Sequence, residues 1–216
     1  MKQLVAATGN HHKLDELRAL LGEALRECGI ELVGLDRFNP VPPEPAESGE
    51  TFEENARIKA VAYARALGEM CLADDSGLEV DALGGEPGVH SAHWAGHEGS
   101  RPVRDSRNNA KLMRAMEAVP HDGRTARFVC TMCLADRSGT ILHETRGTFE
   151  GTIVDAPRGA NGFGYDPFLW VPDQNCTSAE LAPEVKNARS HRGHAARDMA
   201  TWIRRHRSPS HPTANS

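Results

Sequence analysis

The apolar run Leu4-Val5-Ala6-Ala7 is followed at once by Thr8-Gly9-Asn10, and then by a segment whose apolar residues, Leu14, Leu17, Leu20, Leu21, Ala24 and Leu25, recur with the period of a helix. This order of buried strand, tight turn and amphipathic helix constrains the fold more than any other feature. The helix must lay its apolar stripe back on the sheet that holds the strand, which is the layered unit of an α/β protein. The same turn exposes the unpaired N–H groups and the positive dipole end of the helix, a ready seat for an anion.

A chain of 216 residues, 39% hydrophobic with 20 glycines, has the composition of an ordinary globular domain and excludes disorder as a whole. The net charge is −5, with Lys and Arg scattered until the last helix, which argues against a nucleic-acid partner. Five cysteines are too few and too odd in number for a secreted disulfide framework, so reduced thiols in the cytoplasm are expected. The apolar start is too short for a signal peptide and no stretch approaches the length of a membrane span, so no membrane role is expected.

Along the chain, a helix is expected over 13–25, and a loop over 39–50, where four prolines fall among glutamates. Thr51 with Glu54 makes a capping box, after which Phe52, Ala56, Lys59, Tyr63 and Ala66 keep a helical period and place one lysine on an apolar stripe. Met70-Cys71-Leu72-Ala73 reads as a strand ending in Asp74-Asp75-Ser76-Gly77, with extended chain resuming over 78–83. A helix is expected over 109–119, a strand over 124–135 paired with 140–147, a further strand over 148–155 and another over 168–171. Ser190 reads as the N-cap of a last helix bearing Ala195, Met199, Trp202 and Ile203, before a polar tail from Pro209. The fold expected is one α/β unit with a mixed sheet.

Several segments carry chemistry. Lys13 lies one turn inside the helix whose N-terminus already favours phosphate, although no Walker A spacing occurs anywhere. Asp74 and Asp75 at the end of a strand place two like charges where open α/β sheets hold ligands, and a hard divalent cation shared with phosphate oxygens is their natural partner. Glu47 offers a further carboxylate. Lys59 has the alternative of simple snorkelling. The Gly162-Phe163-Gly164-Tyr165-Asp166-Pro167 loop offers an aromatic suited to stacking a flat base, or else rings that fill a core. Cys130-x-x-Cys133 sits in an alternating strand that sends its sulfurs to opposite faces, so it does not read as a zinc site.

Six blocks in order resemble the inosine triphosphate pyrophosphatase family: Ala7-Thr8-Gly9-Asn10 with Lys13; Glu47-x-Gly49-x-Thr51-Phe52-x-Glu54-Asn55-Ala56 with Lys59-Ala60; Ala73-Asp74-Asp75-Ser76-Gly77-Leu78; Pro87-Gly88-Val89-His90-Ser91-Ala92; Gly162 to Pro167; and Lys186-Asn187 with Ser190-His191-Arg192-Gly193. The resemblance implies an elongated two-lobed α/β fold with a central mixed sheet flanked by helices and the site in the cleft between lobes. One domain would cover 1–206, with a flexible tail over 207–216. It further implies a homodimer, a Mg²⁺ cofactor and cleavage of non-standard purine nucleoside triphosphates to monophosphate and pyrophosphate. Position by position, Asp75 is implied as general base and, with Glu47, as metal ligand, while Asp74 supports the metal site. Thr8, Gly9, Asn10, His11, His12, Lys13, Lys59 and Ser76 are implied to bind the phosphates. Phe163, Gly164, Tyr165 and Asp166 would hold base and sugar, with Lys186, His191 and Arg192 closing over the purine edge. Two residues depart from the pattern: His93 stands where the family commonly has Arg, and Arg189 replaces a usually apolar residue.

Overall fold

A computed structural model of the chain describes residues 2–206, so the tail expected over 207–216 lies outside the described residues. The sheet has seven strands in the order β2-β1-β3-β4-β5-β6-β7. Strands β1 (Lys2–Ala6), β2 (Ile30–Gly34) and β3 (Met70–Val80) pair in parallel, joined by helices α1 (His11–Glu27) and α2 (Phe52–Leu67). From β3 onward, β4 (Thr125–Ala135), β5 (Ile141–Ile153), β6 (Leu169–Val171) and β7 (Cys176–Thr177) pair antiparallel. The sheet is therefore mixed, as expected. Helices α3 (Arg101–Met116), α4 (Pro183–Arg189) and α5 (His191–His206) complete the fold.

Local signals set most of these boundaries. Asn10 caps α1 by accepting from the His12 N–H at 3.1 Å, and both halves of the Thr51–Glu54 capping box form at α2. Ser190 caps α5 by accepting from Gly193 N–H at 3.0 Å.

Alternation along β3 and β4 sends successive side chains to opposite faces. On one face Leu72, Cys130, Met132 and Leu134 pack with α1 and α5; on the other Cys71, Ala73, Cys133 and Ala135 pack with α2. The two cysteines of the C-x-x-C thus face opposite sides, and no metal-holding group of three His, Cys, Asp or Glu occurs among the described residues. Farther along the same strands, Leu78, Val80, Ala126, Phe128, Phe149 and Ile153 close a second core with α3, Tyr165 and Phe168. Strands of 11 residues span about 36 Å, so β3 and β4 cross from one core to the other, and the molecule has two lobes.

Three expectations need correction. Strand β3 does not end at Ala73; Asp74-Asp75-Ser76-Gly77 continue it to Val80, because both carboxylates meet cations on helices packed against the sheet. The segments 140–147 and 148–155 are one strand, β5, paired with β4 throughout. Helix α3 begins at Arg101, two turns before the expected Asn109. Its first two turns are polar and bury little, so they carry no apolar period to read, while Pro102 suits the helix start.

Candidate active site

Strand β1 pairs with β3 only as far as Ala6 opposite Leu72, and the Ala7 N–H closes the ladder on Leu72 O at 2.8 Å. Beyond that point the edge of β3 away from β4 meets loops rather than a strand. A cleft of about 1720 Å³ opens there, larger than the roughly 300–1,000 Å³ typical of small-molecule pockets. Thr8, Gly9, Asn10, His11, His12 and Lys13 line it from the turn into α1. Glu47, Lys59, Asp74, Asp75 and Ser76 form its floor, and Phe163, Gly164, Tyr165, Asp166, Lys186 and His191 its far wall.

Because adjacent residues of a strand face opposite ways, Asp74 and Asp75 send their carboxyls to different cation partners while both line the cleft. Asp74 points toward α1 and α5. Its Oδ2 accepts from Arg192 at 2.8 and 3.2 Å, and Lys13 Nζ lies 3.1 Å away. Burial opposes the charge, but Lys13, Arg192 and then Lys59 outweigh it and hold this carboxyl well below the usual range. Asp75 points toward α2, where Lys59 Nζ donates to its Oδ1 at 2.9 Å and also lies 3.2 Å from Glu47. Burial raises Asp75 above the ordinary carboxylate range, an effect that Lys59 and Lys13 oppose without cancelling. For Lys59, burial works against the charge, yet Asp75, Glu47 and Asp74 together keep the ammonium firmly protonated. Lys59 is therefore a buried, paired cation, and snorkelling does not describe it.

Two buried oxygens on this floor, Asp74 Oδ1 and Asp75 Oδ2, have no hydrogen-bond partner among the described residues. The orphan Oδ2 of Asp75, with Glu47 reaching the same Lys59 ammonium, is a hard-oxygen donor set that fits Mg²⁺, which is commonly held by one or two carboxylates and completes its shell with water and phosphate.

On the far wall, Asp166 is buried and both its oxygens are engaged. Oδ2 accepts from the Phe163 N–H at 2.8 Å and from Lys186 Nζ at 2.6 Å, and Oδ1 from Ser178 Oγ at 2.7 Å. Gly162, at φ 78°, passes so close that a Cβ there would lie 2.8 Å from Lys186 Nζ. Asp166 thus braces the loop and Lys186. Tyr165 is a core residue whose hydroxyl donates to Ser91 O at 3.0 Å, whereas Phe163 is only partly buried and is ringed by Arg101, Lys186 and Arg192 at 5.5–6.0 Å, with His12 stacked at 5.9 Å. Of the two aromatic readings, stacking fits Phe163 and core filling fits Tyr165.

His191 stacks on Phe128 at 5.1 Å, and its buried Nδ1 has no partner. Burial, then Arg192 and Lys186, push its pKa well below the ordinary value, so the ring is neutral. Arg192 is the one expected binding residue that does not line the cleft. It is 1% exposed and committed to Asp74, to Glu16 at 2.6 Å and to Ser76 Oγ at 2.8 Å.

Of the departures, His93 lines the cleft, stacked on His97 at 4.3 Å, while Arg189 pairs with Asp173 outside it. Helix α3 supplies wall residues that sequence reasoning missed, among them Arg101, Asp105 and Asn109. Their spacing of four was the available signal.

The Ham1 family model matches residues 4–202. A dITP/XTP pyrophosphatase of Vibrio cholerae is 46% identical over 96% of this chain and 99% of its own length, and one from Desulforamulus reducens is 48% identical over 94% and 96%. Among solved structures, a HAM1 protein from Coxiella burnetii superposes with a TM-score of 0.82 at 40% identity, covering 94% of this chain and 98% of its own. A nucleoside-triphosphatase / dITP/XTP pyrophosphatase from Mycobacterium abscessus does so with 0.72 at 42% identity, over 94% and 97%. A mixed sheet that opens beside β3 onto a carboxylate floor paired with Lys59 and Lys13, in a chain matched along nearly its whole length by these relatives, places the protein in the Ham1 family.

Proposed function

We propose that this protein hydrolyses dITP, ITP and XTP to the nucleoside monophosphate and pyrophosphate. The observation that carries this reading is the joining, in one cleft, of a floor that pairs Lys59 with Asp75 and Glu47 beside Lys13 with a partly exposed aromatic ring at Phe163. A triphosphate bears about four negative charges near neutral pH, and Lys13, Lys59 and the N-terminal turn of α1 offer the charge and donors to hold it. Glu47 and Asp75 would hold Mg²⁺, which when bound would neutralise charge on the polyphosphate oxygens.

Asp75 acts as general base. Its burial raises its basicity toward that of a useful proton acceptor, and its unpartnered Oδ2 is free to take the proton of a water. The water oxygen attacks the α-phosphorus, the bond to the bridging β-phosphate oxygen breaks, and pyrophosphate leaves beside Lys59 and Lys13. Asp74 keeps Lys13 in place.

The base stacks on Phe163, and Lys186 with its neighbours supplies donors at the purine edge. Hypoxanthine and xanthine present an oxygen at C6 where adenine presents an amino group, and one buried unpaired donor costs about 1–3 kcal/mol, roughly 5- to 150-fold. The reading includes a homodimer and a cytoplasmic location, with neither nucleic acid nor membrane as partner. The net charge of −5 argues against a nucleic-acid partner, and the free cysteines fit a reducing compartment.

The test is pyrophosphate release from a panel of ITP, dITP, XTP, ATP, GTP and dUTP with Mg²⁺, run in isotopically labelled water. Turnover of the first three far above the rest, with label in the monophosphate, is expected. ATP or dUTP turning over as fast as ITP would refute the specificity.

A further inference from the structure

Phe163 is held from outside the motifs. Gly164, which follows it, is gripped on both sides by α3: its N–H, in the peptide shared with Phe163, donates to Asp105 Oδ2 at 3.2 Å, and its carbonyl, in the next peptide, accepts from Asn109 Nδ2 at 3.1 Å. Asp105 is itself fixed, because Arg101 Nε donates to its Oδ1 at 2.9 Å, and the Arg101 guanidinium lies 5.5 Å from the Phe163 ring centre. Arg101, Asp105 and Asn109 stand four residues apart on one face of the helix. The turn they grip has little stiffness of its own, since Gly162 and Gly164 lie at φ 78° and 62°. On the other side Asp166 takes the Phe163 N–H. The peptide groups flanking the ring are thus clamped between α3 and Asp166.

We propose that Asp105 and Asn109 are positioning residues for nucleobase recognition, holding the Gly164 peptide so that the Phe163 ring is set before substrate arrives; this rests on the base stacking at Phe163. Neither side chain needs to touch the nucleotide. A loop that must be ordered at binding lowers affinity, whereas one already ordered does not. The effect belongs to base binding and not to the phosphate chemistry at Asp75 and Lys59.

The test is steady-state kinetics with ITP, and inhibition by inorganic pyrophosphate, for Asp105→Ala, Asn109→Ala, Phe163→Ala and each α3 variant combined with Phe163→Ala. Losing one hydrogen bond to the loop is expected to raise KM for ITP about 2- to 13-fold. Inhibition by pyrophosphate stays unchanged and kcat changes less than about twofold. In the Phe163→Ala background the α3 variants add nothing. Asp105→Asn, which keeps an acceptor for the Gly164 N–H, recovers most of the loss and separates positioning from a folding defect.

The proposal is overturned if the α3 variants cost as much without Phe163 as with it, or if pyrophosphate inhibition weakens in step with KM. A large effect of Phe163→Ala with none from Asp105→Ala or Asn109→Ala overturns the proposal alone. No effect of Phe163→Ala on KM overturns both the proposal and the stacking role of Phe163.

Discussion

Replacing Arg192 by Met separates two roles for the residue. It removes the guanidinium that joins Asp74, Glu16 and Ser76 while keeping an unbranched apolar side chain in the space. Asp74 has no side-chain exposure, so it keeps Lys13 but loses the larger part of its hydrogen bonding. Breaking one partner out of a buried ion pair costs about 3–5 kcal/mol, mainly because a charge is left uncompensated. For a chain of this size each kcal/mol lowers Tm by about 2–4 °C, so Arg192→Met should melt roughly 6–20 °C below the parent protein. Combining it with Asp74→Leu removes the stranded charge, and the double variant should be no less stable than the single one. Thermal melts and urea titrations at pH 7.5 measure both. The bracing role is refuted if Arg192→Met melts within about 2 °C of the parent while ITP binding is lost.

Asp75→Asn should abolish turnover while the protein stays folded and still binds ITP, as read by calorimetry; near-normal kcat would remove Asp75 as the base. Lys59→Met strands the buried Asp75 beside Glu47 and should lower kcat/KM at least about 100-fold, by analogy with loss of a fixed donor to developing charge, and unchanged kinetics would make Lys59 a bystander. His191 gives a pH signature. In the unfolded chain an imidazole takes a proton as pH falls through about 6.5, whereas in the fold burial, Arg192 and Lys186 oppose it. The unfolded state then binds more protons, so stability falls below about pH 6.5 by up to about 1.4 kcal/mol per pH unit. Urea titrations between pH 5 and 8 should show that His191→Asn flattens this slope, and parallel slopes would contradict the neutral, buried ring.

Sequence alone determined the elements whose signals are local. The Ser190 cap, the Thr51–Glu54 box and the alternation through Cys130 and Cys133 each depend on residues a few positions apart, and each is present in the structure. The residues that gather in the cleft were also legible, because short motifs carry them. What the tertiary structure decided was where their side chains go. Asp74-Asp75-Ser76-Gly77 reads as a turn because polar residues break strands unless their charges are met, and the cations that meet them come from Lys13, Lys59 and Arg192, distant in the chain. The partner of Arg192 is equally hidden: nothing within its helix discloses that Asp74, 118 positions away, takes its charge. The first turns of α3 lack an apolar period, since their work is to hold the Gly164 peptide and not to fill a core. Periodicity reports burial, whereas the pairing of charges and the clamping of loops are settled only when distant segments meet.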